Sequence, residues 1–281
     1  MATETLNQGA KTMAASGWSG SGIADSNDYR IEHDFGPLEA GLDHSGLTVG
    51  IESMWFTPGS EGIVGGGSFG ALKLDADATA DAFVRNHGKV KLYIEAAGAS
   101  AKINYFDAGP FSDNNLQGGT FGTVYAQGGN TNVNGSTVIE NAKLMAGNGT
   151  FEYNASGAAI TVLEVTGGTW HIKRAPTAMI ISGDAVVIYE PDDLASHTGT
   201  TVTINGGLLD WRKGAIETVN ANGGMIDFRS ASGVFAPGAT AFPLLGTTII
   251  ENPLVDLSNA VVPDGLIRNI GNLAISGKGS I

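Results

Sequence analysis

Cysteine is absent from the 281 residues. That excludes disulfides, thiolate metal sites and cysteine nucleophiles, and leaves the compartment open. Charge is scarce as well: Asp, Glu, Lys and Arg make up 15% of the chain, against about a quarter in typical domains. Cations are the scarcer sign, with 15 Lys and Arg against 28 Asp and Glu, for a net charge of −13. Such a balance repels phosphate backbones and anionic lipid, so no nucleic-acid partner is expected. No stretch approaches 18 apolar residues, so no membrane insertion is expected either. Residues 1–22 carry Lys11 as their one cation and no apolar run of signal-peptide length, which reads as a soluble chain without a standard export signal.

What the chain does contain is glycine, 42 residues of 281, about twice the usual share of roughly 7%. With 42% hydrophobic residues the chain should fold, and a helix-rich fold is not expected. The glycines recur in pairs of small turn residues whose second members are Gly129, Gly149, Gly168, Asp184, Gly207 and Gly224, at intervals of 20, 19, 16, 23 and 17. Two positions after each anchor from Gly149 onward stand Phe151, Trp170, Val186, Leu209 and Ile226. Four positions after it stand Tyr153, Ile172, Ile188, Trp211 and Phe228. Between these columns lie Glu152, His171, Val187, Asp210 and Asp227, which is strand alternation with two residues inward and one outward.

Upstream of the anchors the fifth residue back is Leu144, Leu163, Met179, Val202 and Val219, and the third is Ala146, Val165, Ile181, Ile204 and Ala221. The unit at Gly129 has Val124, Ala126 and Val133 in the inward columns, with Thr131 in place of a large apolar residue. Each unit therefore reads as strand, tight corner, strand and a loop of variable length. A strand pair this short cannot bury an apolar face alone, and stacking successive units is the physical reason to repeat it. The expected fold is all-β, a parallel β-solenoid (β-helix); an antiparallel β-sandwich or jelly roll is the competing arrangement, because turn signals every 8 to 12 residues also describe it. The expected organisation is a flexible arm over 1–27, a β-rich attachment domain over 28–88 with one short helix in 76–86, solenoid repeats over 89–232, and a C-terminal cap or trimerisation segment over 233–281.

Motifs for chemistry are few. The run Gly65 to Gly70 fits both G-x-G-x-x-G and G-x-S-x-G, yet lacks the strand, turn and long helix that either needs, so it reads as a turn. Asp75, Asp77 and Asp81 have calcium-like spacing without the glycine and terminal glutamate of an EF-hand. Glu190, Asp192 and Asp193 flank Pro191 as corner residues do. Asp210 and Asp227 fall on adjacent rungs of one outward column, with Glu152 and His171 further along it. Their separation of about 5 Å would suit the carboxylate pair of a glycosidase, although any outward column in an acidic solenoid collects carboxylates.

His33, His44, His87, His171 and His197 form no H-E-x-x-H or H-x-H pattern and read as surface residues. Trp170 and Trp211 are expected in the core. The sequons at Asn134, Asn148 and Asn154 coincide with turn composition. No catalytic residue, metal or cofactor is expected. Trp18, Trp55 and Phe56 are the residues expected to contact a partner.

Three segments of the N-terminal region carry a resemblance. They are Gly17-Trp18-Ser19-Gly20-Ser21-Gly22-Ile23-Ala24, Gly41-Leu42-Asp43-His44-Ser45, and Trp55-Phe56-Thr57-Pro58-Gly59 with Gly62-Ile63. Over about residues 15–70 the chain resembles virion proteins of tailed bacteriophages encoded among head genes. The resemblance implies a non-enzymatic structural protein, a capsid decoration or head spike on the virion surface. It also implies a homotrimer attached to the capsid protein through the N-terminal region. A tailspike or fibre that binds or cleaves host surface glycan is the alternative.

Overall fold

The computed structural model describes residues 3–6, 28–35, 37–38, 43–44, 51–66, 71–74, 83–96, 102–134, 137–153, 159–191, 200–212, 218–227, 245–251, 254–256 and 270–276. These residues form strands and turns with no helix. The chain is a parallel β-solenoid, and every strand pair whose register is defined is parallel. It divides into two compact units, Met1–Ala142 with Tyr153–Ala159, and Lys143–Glu152 with Ile160–Ile281.

In chain order the strands begin with β1 (Thr3–Thr5), β2 (Asp28–Ile31), β3 (Pro37–Leu38), β4 (Asp43–His44), β5 (Ser53–Phe56), β6 (Glu61–Val64), β7 (Leu72–Leu74) and β8 (Phe83–Asn86). They continue with β9 (Lys89–Ala96), β10 (Lys102–Ala108), β11 (Asp113–Gln117), β12 (Thr120–Ala126), β13 (Gly129–Asn134), β14 (Val138–Leu144), β15 (Asn148–Tyr153) and β16 (Ala159–Val165). The remainder are β17 (Thr169–Ile172), β18 (Ala178–Ile181), β19 (Val186–Tyr189), β20 (Thr201–Trp211), β21 (Thr218–Asp227), β22 (Leu245–Glu251), β23 (Leu254–Asp256) and β24 (Ile270–Ser276).

In the first unit one ladder runs β1, β2, β5, β8, β10, β12, and a second runs β3, β6, β9, β11, β13. A third face, β4 and β7, ends on the distal half of β9. Strands β2, β5 and β8, assigned from sequence to a separate attachment domain, are thus rungs of the same ladder as β10 and β12. Residues 83–86 of the segment expected to be helical are strand β8, and 75–82 lie outside the described residues.

Alternation explains each rung. In β9 Val90, Leu92, Ile94 and Ala96 are buried, while Lys89, Lys91, Tyr93 and Glu95 face outward. Successive rungs then stack Tyr29, Met54, Val84, Phe106 and Val124 into one buried column. The lumen turns polar at one corner. Buried Asn86 donates to Asn114 Oδ1 at 2.7 Å and to the Val90 carbonyl at 3.0 Å, and Asn114 donates to Ser112 Oγ at 2.8 Å. Thr131, placed from sequence in an inward column, is fully buried there next to Asn114.

In the second unit the ladders are β16, β18, β20, β21, β22, β24 and β15, β17, β19, β20, β21, β23. They therefore continue beyond Ser232, where the sequence repeat is lost. The upstream columns stand as read: Leu163, Met179 and Val202 form one, and Val165, Ile181 and Ile204 the other. Downstream, the register corrects two anchors. Gly168 stacks on Gly147, not Gly149, and Ala185, not Asp184, shares the rung position of Gly168 and Gly207, as the pairs 148↔169, 169↔186 and 186↔208 require.

The left-handed residues are the cause, being Gly147 (φ 76°), Gly168 (φ 76°) and Gly183 (φ 62°), so that neither Gly149 nor Asp184 makes the corner. Consequently Phe151, Ile172, Tyr189 and Trp211 form one buried column, and Trp170, Val187, Leu209 and Ile226 the other. Ile188 takes the outward position given to Val187 from sequence. Trp170 and Trp211 both lie in the core, and the Trp170 indole donates to the Gly167 carbonyl at 3.1 Å.

The packing of the rungs generates three stability predictions. A Cβ at Gly168 would stand 1.9 Å from the Gly147 carbonyl oxygen at a φ of +76°. Gly168→Ala should cost clearly more than about 1 kcal/mol, read as a lower urea midpoint at unchanged slope. The second concerns Tyr189, whose phenol is fully buried and whose Oη has no hydrogen-bond partner. Burial pushes this phenol well above its ordinary pKa of 10.0. Thr200 opposes the shift without cancelling it, and its own hydroxyl donates to the Pro176 carbonyl at 2.9 Å.

A phenol raised in the folded state contributes full stability below the unfolded value and loses it as pH rises above about 10, where the unfolded chain ionises first. Tyr189→Phe should therefore be near neutral at pH 7 and flatten the loss of stability above pH 10. Trp211→Ala, which empties the adjacent position of the same column, should cost about 3–5 kcal/mol.

Candidate functional site

Because the inward columns are filled by packed side chains, chemistry is confined to the outward ones. In the second unit the outward column of the β15–β21 stack reads Thr150, His171, Ile188, Asp210 and Asp227. The structure thus brings Asp210 and Asp227 onto adjacent rungs, as the sequence indicated. Arg212 clamps Asp210, with Nε at 2.9 Å and Nη2 at 2.8 Å from Oδ2. The same guanidinium lies 3.8 Å from Glu190, which in turn faces His171 at 3.5 Å. The hydrogen bond to Asp210 holds Arg212 above its ordinary pKa.

Asp227 is 7% exposed, and Asp210 Oδ1 is buried without a partner. A carboxylate held this way by a guanidinium is tied into the scaffold, and its pairing is the chemistry the arrangement displays. Glu152 lies outside the residues whose side chains are described, as do Asp192 and Asp193. So do Asp75, Asp77, Asp81, His44 and His197. Among the described residues no cluster of His, Asp and Glu is arranged to hold a metal ion. No helix among them is long and apolar enough to cross a membrane.

In the first unit the outward face of the β6–β9–β11 ladder holds a shallow depression of about 280 Å³, lined by Ile63, Phe111, Lys89, Lys91, Glu61 and Asp113. Phe111 is 71% exposed and Ile63 39%. Lys91 pairs with Asp113 at 3.0 Å, and that hydrogen bond holds its ammonium above the usual range. Gly65 and Gly66 have positive φ and turn the chain at the end of β6; 67–70 lie outside the described residues.

The residues singled out for partner contact separate. Trp55 is outward and half-buried, with the Arg30 guanidinium 5.0 Å from its ring centre and His87 edge-on at 6.3 Å. Phe56, the next residue, points inward and is fully buried. Trp18 lies outside the described residues. His87 also bonds Asp107 at 2.8 Å. Sequence reasoning missed Phe83, Tyr105 and Tyr125, which share the outward face with Trp55. The available signal was the alternation of β8 and β10, which lie upstream of the repeats used for alignment, and of β12, of which only the inward Val124 and Ala126 were aligned.

Arg212→Met should lower stability by about 1–2 kcal/mol, because it leaves Asp210 unpaired beside Asp227. Replacing both partners, as Asp210→Leu with Arg212→Met, should recover most of that loss in urea unfolding, since neither charge is then stranded. No family model, curated protein or solved structure matches this chain.

Proposed function

We propose that the chain is a non-enzymatic structural protein of a bacteriophage particle, a homotrimeric capsid decoration or head spike anchored through its N-terminal region. The observation that carries the reading is the filled lumen. Large side chains close the interior of both units, and the outward charges pair from rung to rung, as at Lys91–Asp113, Lys143–Glu164 and His171–Glu190. Such a body holds its shape without a ligand, which a display or cement element requires. The resemblance of residues 15–70 to head-gene proteins supplies the particle, and the exposed Phe111 and Ile63 supply apolar surface for contacts between copies.

The expected result is capsid density that disappears from electron-microscopy maps of particles lacking this gene product, together with a trimer in sedimentation at micromolar concentration. Unchanged density in the deletion would overturn the decoration role. A tailspike acting on glycan is the alternative, and it predicts depolymerisation of host surface polysaccharide that Asp210→Asn with Asp227→Asn abolishes.

A further inference from the structure

Four consecutive rungs of the β5–β8–β10–β12 ladder each place one aromatic ring on the outward face: Trp55, Phe83, Tyr105 and Tyr125. All four are half-buried, so each ring rests on the sheet and keeps part of its surface in solvent. The register puts Phe83 beside Tyr105, and Trp55, Arg85, Asp107 and Tyr125 in one column. The rings of Tyr105 and Tyr125 lie 6.4 Å apart and within 21° of parallel. At the other end Arg30 covers Trp55 at 5.0 Å and Arg85 covers Phe83 at 3.9 Å, so planar donors alternate with rings along the face.

We propose that this face is a platform for an uncharged polysaccharide strand lying along the solenoid axis, a property separate from any attachment to a particle. Three features select that occupant. Parallel rungs repeat every 4.8 Å or so, a step commensurate with one pyranose ring and its glycosidic oxygen, so a strand along the axis meets the Tyr105 and Tyr125 rings on successive rungs and the guanidinium groups over Phe83 and Trp55 beyond them. The Tyr105 and Tyr125 rings offer apolar surface with hydroxyl tips, the pairing of properties that a pyranose, apolar on its C–H face and polar on its edge, requires.

The third feature is charge. On the outward positions of these strands and of β2 and β14, Arg30, Arg85, Lys102 and Lys143 stand against Asp28, Asp107 and Glu140, and Arg30, Lys102 and Lys143 are each paired with a glutamate, Glu32, Glu140 and Glu164. An acidic polymer would have to displace a glutamate at three of these four cations before it gained a contact. A hydroxyl-rich neutral one finds donors in the guanidinium groups and acceptors in Asp107 and Gln127, which already bond each other at 3.3 Å.

Affinity electrophoresis tests the proposal on purified full-length protein, in native gels cast with soluble β-glucan, galactomannan or dextran, and with alginate as the acidic control. The expected result is retardation by at least one neutral polysaccharide, insensitive to salt, weakened about tenfold for each ring removed in Tyr105→Ala and Tyr125→Ala and retained in Tyr105→Phe. Thr123→Glu, which plants a charge beside Tyr105 and leaves both rings in place, should abolish retardation with an unchanged thermal transition. No retardation by any neutral polysaccharide overturns the proposal. So does retardation that survives Thr123→Glu, or retardation confined to alginate and lost in salt. The measurement uses no particles, so its failure leaves the decoration role standing, and failure of that role leaves the platform standing.

Discussion

The chain must come back, at the end of every coil, to a point one rung above where it started, with its inward side chains in register. That return is what the rest of the structure depends on, and it is enforced at the corners and not by a fixed repeat length. Ser53 stacks under Phe83, 30 residues later, while Val162 stacks under Ala178, only 16 later. Loops absorb the difference cheaply, because the entropy of closing a loop grows only with the logarithm of its length. The corners have no such freedom. At Gly119 a Cβ would stand 1.8 Å from the Ala96 carbonyl oxygen, and at Gly224 2.6 Å from that of Gly207. Backbones pass there so closely, at positive φ, that only glycine fits.

The interiors of the two units are filled differently. In the second unit Trp170, Trp211 and Tyr189 fill the interior, and burying them supplies the hydrophobic stabilisation of that stack. In the first unit the corner around Asn86 and Asn114 is polar and wholly buried. Its amides bind the end of one rung to the start of the next, so they fix where the corner falls, but Asn86 Oδ1 and Thr131 Oγ1 are left without partners. Unmade hydrogen bonds cost more than made ones return. The polar corner therefore spends stability on defining register, where an apolar side chain would pack equally well one residue along.

Most of the solenoid was legible in sequence because inward positions tolerate only apolar residues. The columns Leu163–Met179–Val202 and Val165–Ile181–Ile204 follow from hydropathy alone, and the stacked rung pairs confirm them. Misalignment arose where the corner itself was the ruler. Gly-Asp at 183–184 looks like the Gly-Gly pairs, but its left-handed residue is the first of the two, and Tyr189 thereby displaced Ile188 from the core column. The outward face was less legible for a different reason. Trp55, Phe83, Tyr105 and Tyr125 are far apart in sequence and belong to coils whose spacing runs from 18 to 30 residues, so only the register aligns them.

The distribution of charge follows from the same in-register stacking. Side chains directly above one another repel when their charges match, and a chain with 28 acids and 15 bases has few cations with which to prevent it. They are placed accordingly. Lys89 faces Glu61 and Lys91 faces Asp113 across adjacent rungs, and Lys102 reaches past the intervening rung at Gly122 to Glu140, at 3.0 Å. A Cβ at Gly122 would stand 2.6 Å from the Asn104 carbonyl oxygen and 3.2 Å from Lys102 Cε, so the neighbouring backbone demands glycine there and the lysine stem passes over it. Each such pair contributes little by itself in water, but together they remove the like-charge neighbours that a stacked acidic chain would otherwise accumulate. Asp210 and Asp227 are where two acids do stack, and there Arg212 holds the first of them. A guanidinium just past the end of the same strand thus does what a cation on the next rung does elsewhere.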